Sequence, residues 1–166
     1  MRLAGLLLLA ALSMGQPSQA QRNFKLNPAL DPFKILLGKW TEGEATVDFY
    51  YDVGGQVVIG RARTSPSPGP PRELIVIYSE GAENQVRADS FDVDRQVIHY
   101  RLESSDANNI HLVSDASGRH LIYQKLDFNH LLYRFQTSPP GQPNALTTTA
   151  KGMLTRAAGL VRPLSE

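Results

Sequence analysis

Four histidines, His99, His111, His120 and His130, are the side chains best suited to proton or metal chemistry near neutral pH. His99 and His111 flank the turn Ser104-Ser105-Asp106-Ala107-Asn108. A hairpin centred on Ser105 sets them directly opposite one another, with Arg101 and Asn109 as the next pair on that face. Opposed Cβ atoms lie about 4.5–5.5 Å apart, close enough to share an anion, a metal or a polar ligand. Two histidines with no carboxylate at a fixed spacing are a weak metal signal, and no metal site is assigned. The alternate residues Ile98, Tyr100, Leu102, Ile110 and Leu112 form the more apolar face, which makes them the expected interior and the histidine face the solvated exterior. His120 and His130 begin strands next to turns and are expected to be exposed.

No other constellation announces a reaction. Asp92 and Asp94 bracket a turn, and turn chemistry accounts for both. There is no Gly-x-Ser-x-Gly elbow and no glycine-rich phosphate loop before a helix. The chain has no cysteine, so disulfides, thiolate metal sites and cysteine nucleophiles are excluded. All six tyrosines, Tyr50, Tyr51, Tyr78, Tyr100, Tyr123 and Tyr133, fall in strand-like segments, where one or two could hydrogen-bond a ligand. No catalytic residue and no cofactor is assigned.

The residues that position these groups begin with a leader. Arg2 precedes the apolar run Leu3–Leu12, and Ser18-Gln19-Ala20 follows it. A charged start, a short apolar stretch and a small-residue site are the parts of a secretory signal, with cleavage expected after Ala20. Ten apolar residues at about 1.5 Å each are too short for a roughly 30 Å bilayer core. The expectation is an exported protein, periplasmic or secreted, with no membrane span in its mature form. Removing twenty residues from 166 leaves 146, enough for one domain with a sizeable core. The formal charge of the whole chain is +1, and no basic stripe points to nucleic acid.

Residues 21–37 read as a polar segment and a helical plug, with Asp31 as the expected cap, Pro32 at the first helical position and Gly38 as the stop. From Lys39 onward, short runs of β-forming residues alternate with turn chemistry. Gly54-Gly55 marks a hairpin, and Ser65–Pro71 and Ser138–Pro143 are Pro-rich loops. About nine strands at regular spacing predict an all-β domain over 38–157: one antiparallel up-and-down barrel, followed by a tail at 158–166. A sandwich is the other architecture that this pattern allows.

Gly38-Lys39-Trp40, at the first strand after a short helical turn, resembles the lipocalin and calycin signature. With Thr41-Glu42-Gly43-Glu44 it is similar to the Gly-x-Trp-x-x-Gly start of lipocalin-like secreted bacterial domains of uncharacterised function. Ser90-Phe91-Asp92, Val97–Tyr100, Val113-Ser114-Asp115 and Ser138–Gly141 add to the likeness, which spans Phe33 to Arg156. The resemblance implies a calyx with Trp40 at its base and Arg156 packed across the indole, so Gly38, Trp40 and Arg156 are structural. Haem-binding relatives use a late histidine; none follows His130 here, which argues against haem.

Continuing the period of two from Trp40 places Glu42, Glu44, Thr46 and Asp48 inside, a costly set to bury. A bulge at Gly43 would reverse the parity and turn Val47, Phe49 and Tyr51 inward, and this is the reading adopted. Alternating loops then share an end. The plug is expected to lie with the Pro-rich loops at a closed base, and the mouth is expected at the Gly54-Gly55 end. The functional expectation is a binding protein for a small apolar or amphipathic molecule, lined by Phe49, Tyr51, Ile98, Tyr100 and Tyr123. An isomerase or hydrolase using the same cup, or an interaction module with no small ligand, are the alternatives.

Overall fold

The computed structural model describes residues 25–64, 71–94, 96–139, 141–142 and 145–157. The expected leader, the tail and most of the first Pro-rich loop lie outside the described residues. The described chain is a 3₁₀ helix (Pro28–Ile35) followed by ten strands: β1 (Gly38–Glu42), β2 (Ala45–Asp52), β3 (Val57–Thr64), β4 (Glu73–Glu80), β5 (Gln85–Asp92), β6 (Val97–Ser105), β7 (Asn109–Ser114), β8 (Arg119–Lys125), β9 (His130–Thr137) and β10 (Thr147–Arg156). Each strand pairs antiparallel with the next, and β10 returns to pair with β1. The fold is therefore the expected closed up-and-down barrel with a short helical segment before it. Closure leaves no sheet edge to template aggregation.

The count is ten rather than nine because the expected first strand is two. Gly43, at φ +57°, and Glu44 form a two-residue turn, and Glu42 pairs with Ala45 across it. A glycine at the first central position with positive φ is the hairpin chemistry that suits the twist of the flanking strands. This replaces the expected bulge. The parity still reverses, because a turn sends the chain back: Trp40 and Glu42 face in on β1, and Val47, Phe49 and Tyr51 face in on β2.

The extra hairpin also inverts the expected ends. Asn27 donates its backbone N–H to the Gly55 carbonyl, and its side-chain amide to Ser79 Oγ at 2.7 Å. Leu26 packs on Gly55. The helix thus covers the end that carries the turns after β2, β4, β6 and β8. The expected mouth at Gly54-Gly55 is the closed base. The Gly43 turn, the end of β3, the start of β4 and the described residues of the connections after β5, β7 and β9 lie at the opposite, open end. The cap is corrected too: Asn27, not Asp31, accepts from a helical N–H, that of Ala29, and Pro28 follows it. It is the same Asx–Pro pairing four residues earlier. Asp31 instead pairs with Lys34 at 2.9 Å.

The base is a layered core. Leu30, Phe33 and Leu36 of the helical segment are fully buried with Trp40. The indole N–H donates to the Leu36 carbonyl at 2.6 Å. The Arg156 guanidinium lies 4.3 Å from the centre of the Trp40 ring and 4.8 Å from that of Phe128. It also donates to the carbonyls of Leu37 and Phe128. Gly38 is at φ +118°, and a Cβ there would come within 2.5 Å of Arg156 Nη1. The expected structural roles of Gly38, Trp40 and Arg156 follow from these contacts.

Two substitutions measure the base. Trp40→Ala should cost about 3–5 kcal/mol by opening a cavity at the floor of the core. Gly38→Ala should cost about 1–3 kcal/mol through backbone strain alone. Urea unfolding followed by far-ultraviolet circular dichroism reads both; midpoints equal to the unsubstituted protein's would contradict this account of the base.

Candidate functional site

The barrel interior tapers from large side chains at the base to small ones at the mouth. Ala45 and Ala62 occur where β2 and β3 approach the open end, and they leave space. The result is a cavity of about 180 Å³. Its apolar wall includes Val47, Phe49, Ile75, Phe135 and Leu154. Above it, a wider vestibule of about 400 Å³ is bounded by Ser90, Ile98, Tyr100 and Arg119, among others. Glu73 and Phe135 line both spaces.

Two carboxylates stand in this largely apolar wall. Glu42 accepts a hydrogen bond from the Tyr133 hydroxyl at 2.7 Å. Glu73 accepts one from Ser90 Oγ at 2.9 Å. Gly152 supplies the room: a Cβ there would run into Glu42 Oε1 and the Tyr133 ring. The three hydroxyls nearby are held as neutral phenols. Burial first, then the Glu42 hydrogen bond and charge, pushes Tyr133 up to about 12. Burial pushes Tyr100 up to about 12, with Glu73 adding to it and Arg119 opposing. Tyr123 is raised further, by burial and then by Glu73, Tyr100 and Tyr133.

Of the five expected lining residues, Phe49 and Tyr123 bound the cavity and meet edge to face, with ring centres 6.0 Å apart. Ile98 and Tyr100 bound the vestibule. Tyr51 faces the core beside the helical segment, away from the cavity, and its buried hydroxyl has no hydrogen-bond partner among the described residues. Burial raises its pKa, and Lys34 and Asp31 act on it in opposite directions. Glu42, Glu73 and Tyr133 are the functional candidates that the sequence reading did not select. The signal for Glu73 was present: Ile75 and Ile77 face in, so the period of two puts Glu73 in line with them.

The histidines are on the outer wall, but not as the sequence suggested. The β6–β7 hairpin is centred beyond Ser105, with Leu102 opposite Leu112 and Ser104 opposite His111, so His99 and His111 are not opposed. His99 instead contacts Asp89 at 2.7 Å, and Asp89 also accepts from Tyr78. His111 Nε2 lies 2.9 Å from His120 Nδ1, with the rings stacked at 5.1 Å. His120 is only 9% exposed, contrary to expectation, because its ring lies under that of His111. His130 is half-buried against Asp127. Among the described residues, no group of three or more His, Cys, Asp or Glu side chains is placed to hold a metal. No described helix is long and apolar enough to cross a membrane.

No protein-family model matches the chain, and no curated protein matches it. What the site can do therefore rests on its own chemistry. An apolar cavity with hydrogen-bond acceptors set in its wall can enclose a small molecule and orient its polar end.

The histidine pair gives a pH test. Burial, then the neighbouring His120, holds His111 below the ordinary 6.5; Arg101 adds to this and Glu103 opposes it. Below 6.5 the unfolded chain binds a proton that His111 resists in the fold, so stability rises with pH across that window. The thermal midpoint should fall from about pH 7 to about pH 5, a range above most carboxylate titrations. His111→Gln should flatten that fall, and an unchanged slope in this variant would exclude the pair as its source.

Proposed function

We propose that this protein is an exported binding protein for a small, partly apolar ligand held inside the barrel. The single observation behind this is the cavity: a space of about 180 Å³, walled mainly by apolar side chains and reached past a wider vestibule. Such a cavity can hold a single-ring compound, since one of about 150 Å³ accommodates benzene. The Trp40–Arg156 base supports kinship with lipocalin-like calyx proteins, in keeping with the Gly-x-Trp resemblance. Export is supported by the leader-like first twenty residues; an amino terminus at Gln21 in the mature protein would agree with it, and an intact leader would refute it.

An enzyme using the same cup has one observation in its favour, the two cavity carboxylates with hydrogen-bonded hydroxyls. Binding fits better. Proton transfer at neutral pH favours groups that titrate nearby, and burial carries the cavity tyrosines away from that range.

The test is native mass spectrometry of protein purified from its own host, with methyl resonances of Val47, Ile75 and Leu154 followed during addition of neutral single-ring compounds. An adduct, or shifts confined to those wall residues, is the expected result. Ala62→Trp, which fills the cavity beneath the vestibule, should abolish both while leaving the far-ultraviolet spectrum unchanged. Absence of any adduct together with unmoved wall resonances would refute the reading.

A further inference from the structure

The two cavity carboxylates have no cation beside them. Among the described residues, no Lys, Arg or His nitrogen lies within the 4.0 Å of an ion pair from Glu42 or Glu73. Arg156 is committed to the base, on Trp40 and the Leu37 and Phe128 carbonyls. Arg119 is exposed at the rim of the vestibule, with Asp92 on the same rim. Each glutamate receives one hydrogen bond, although an ionised carboxylate offers about four acceptor sites.

A second, independent feature lies in the same interior. Tyr100 is 3% exposed and Tyr123 7% exposed; among the described residues neither hydroxyl is hydrogen-bonded, and neither is sealed from solvent as the unpartnered Tyr51 hydroxyl is. Both hydroxyls are therefore available to hydrogen-bond water or a ligand in the interior space. Tyr123 lines the cavity, and Tyr100 lines the vestibule above it. Four aromatic side chains, Phe49, Tyr123, Tyr133 and Phe135, line the cavity, and aromatic rings can attract cations.

We infer that the ligand is a small protonated amine with an apolar, single-ring-sized body, its ammonium hydrogen-bonded by Glu42 and Glu73 and its body against Phe49, Ile75 and Phe135. This inference rests on the binding reading above and adds the chemical class of the ligand. An ammonium brings three donors and one positive charge. It meets the two carboxylates' need for both, in a space where an anion would be repelled. The rim pair Arg119 and Asp92 brings one charge of each sign to the entrance and so does not oppose a cation.

Calorimetric titration with benzylamine, benzyl alcohol and benzoate tests this at neutral pH. The three probes share a ring and differ in head-group charge. Benzylamine is expected to bind at least tenfold more tightly than benzyl alcohol, and benzoate more weakly than either. The double variant Glu42→Gln/Glu73→Gln should bring the amine and alcohol affinities within threefold of each other. Glu44→Gln, on the exposed turn outside the cavity, should leave the amine preference intact. Circular dichroism verifies that each variant is folded. Equal binding of amine and alcohol, or a preference for benzoate, overturns the amine inference while leaving a ligand cavity in place. An amine preference that survives the double variant likewise overturns it. Failure of all three probes to bind overturns the cavity reading and the inference together.

Discussion

Arg156 stacks on Trp40 at the one seam where the barrel could fail to close. Among the described residues, β1 and β10 pair through two registered positions, Trp40 with Arg156 and Thr41 with Thr155. So short a ladder is reinforced by side chains. The guanidinium covers the indole, binds the Leu37 carbonyl at the end of the helical segment, and binds the Phe128 carbonyl in the turn before β9. One side chain therefore joins the first strand, the last strand, the helical segment and a distant turn. Cation–π contacts contribute about 0.5–2 kcal/mol, and charge-assisted hydrogen bonds about 1.5–3 kcal/mol when desolvated. The contact also fixes the start of β1 at the base, and every later hairpin inherits its end of the barrel from that placement.

The cavity is the other consequence of a floor packed this way. Trp40, Phe33, Leu30 and Leu36 fill one end without residual exposure. Toward the other end, small residues on β2 and β3 cannot fill the width that ten strands enclose. Polar groups are admitted where the packing relaxes. Glu42 and Glu73 lie in this upper half, each held by one hydroxyl, and the tyrosines around them are kept neutral by burial. The outer wall follows a different logic. There, Arg101 bridges to Asp115 and Glu103, and the carboxyl of Asp115 is held below its ordinary range by that contact. Exposed pairs of this kind contribute little to stability. The stacked His111–His120 pair is the exception on that wall, because one of its members is buried.

Local chemistry made most of the architecture legible. Strand-forming runs alternate with Gly, Asn and Asp turns, and that alternation alone specifies an all-β meander of nearly the right number of strands. Asx–Pro chemistry marked a short helical segment, although Asn27-Pro28 rather than Asp31-Pro32 carries it. The period of two correctly turned Ile98, Tyr100, Leu102, Ile110 and Leu112 away from the histidine face. Gly43 was visible as the point where the first strand's parity must break, but a bulge and a turn reverse parity equally. Sequence alone could not separate them.

That one ambiguity shows where the sequence by itself stops. It determined which residues alternate inward along each strand, because side-chain direction is a property of the local backbone. It did not determine which end is closed, because one additional hairpin exchanges every loop between the two ends. It did not determine the register of β6 on β7, where a turn centred beyond Ser105 sets Ser104 rather than His99 opposite His111, nor that of β7 on β8, where Val113 opposite His120 leaves His111 diagonal to it. Nor did it bring Glu42 to Tyr133, 91 residues away. The Glu42–Tyr133 contact arises only when β10 meets β1 and the sheet closes. Closure is a non-local constraint, and it alone sets which of the many inward-facing residues share one space.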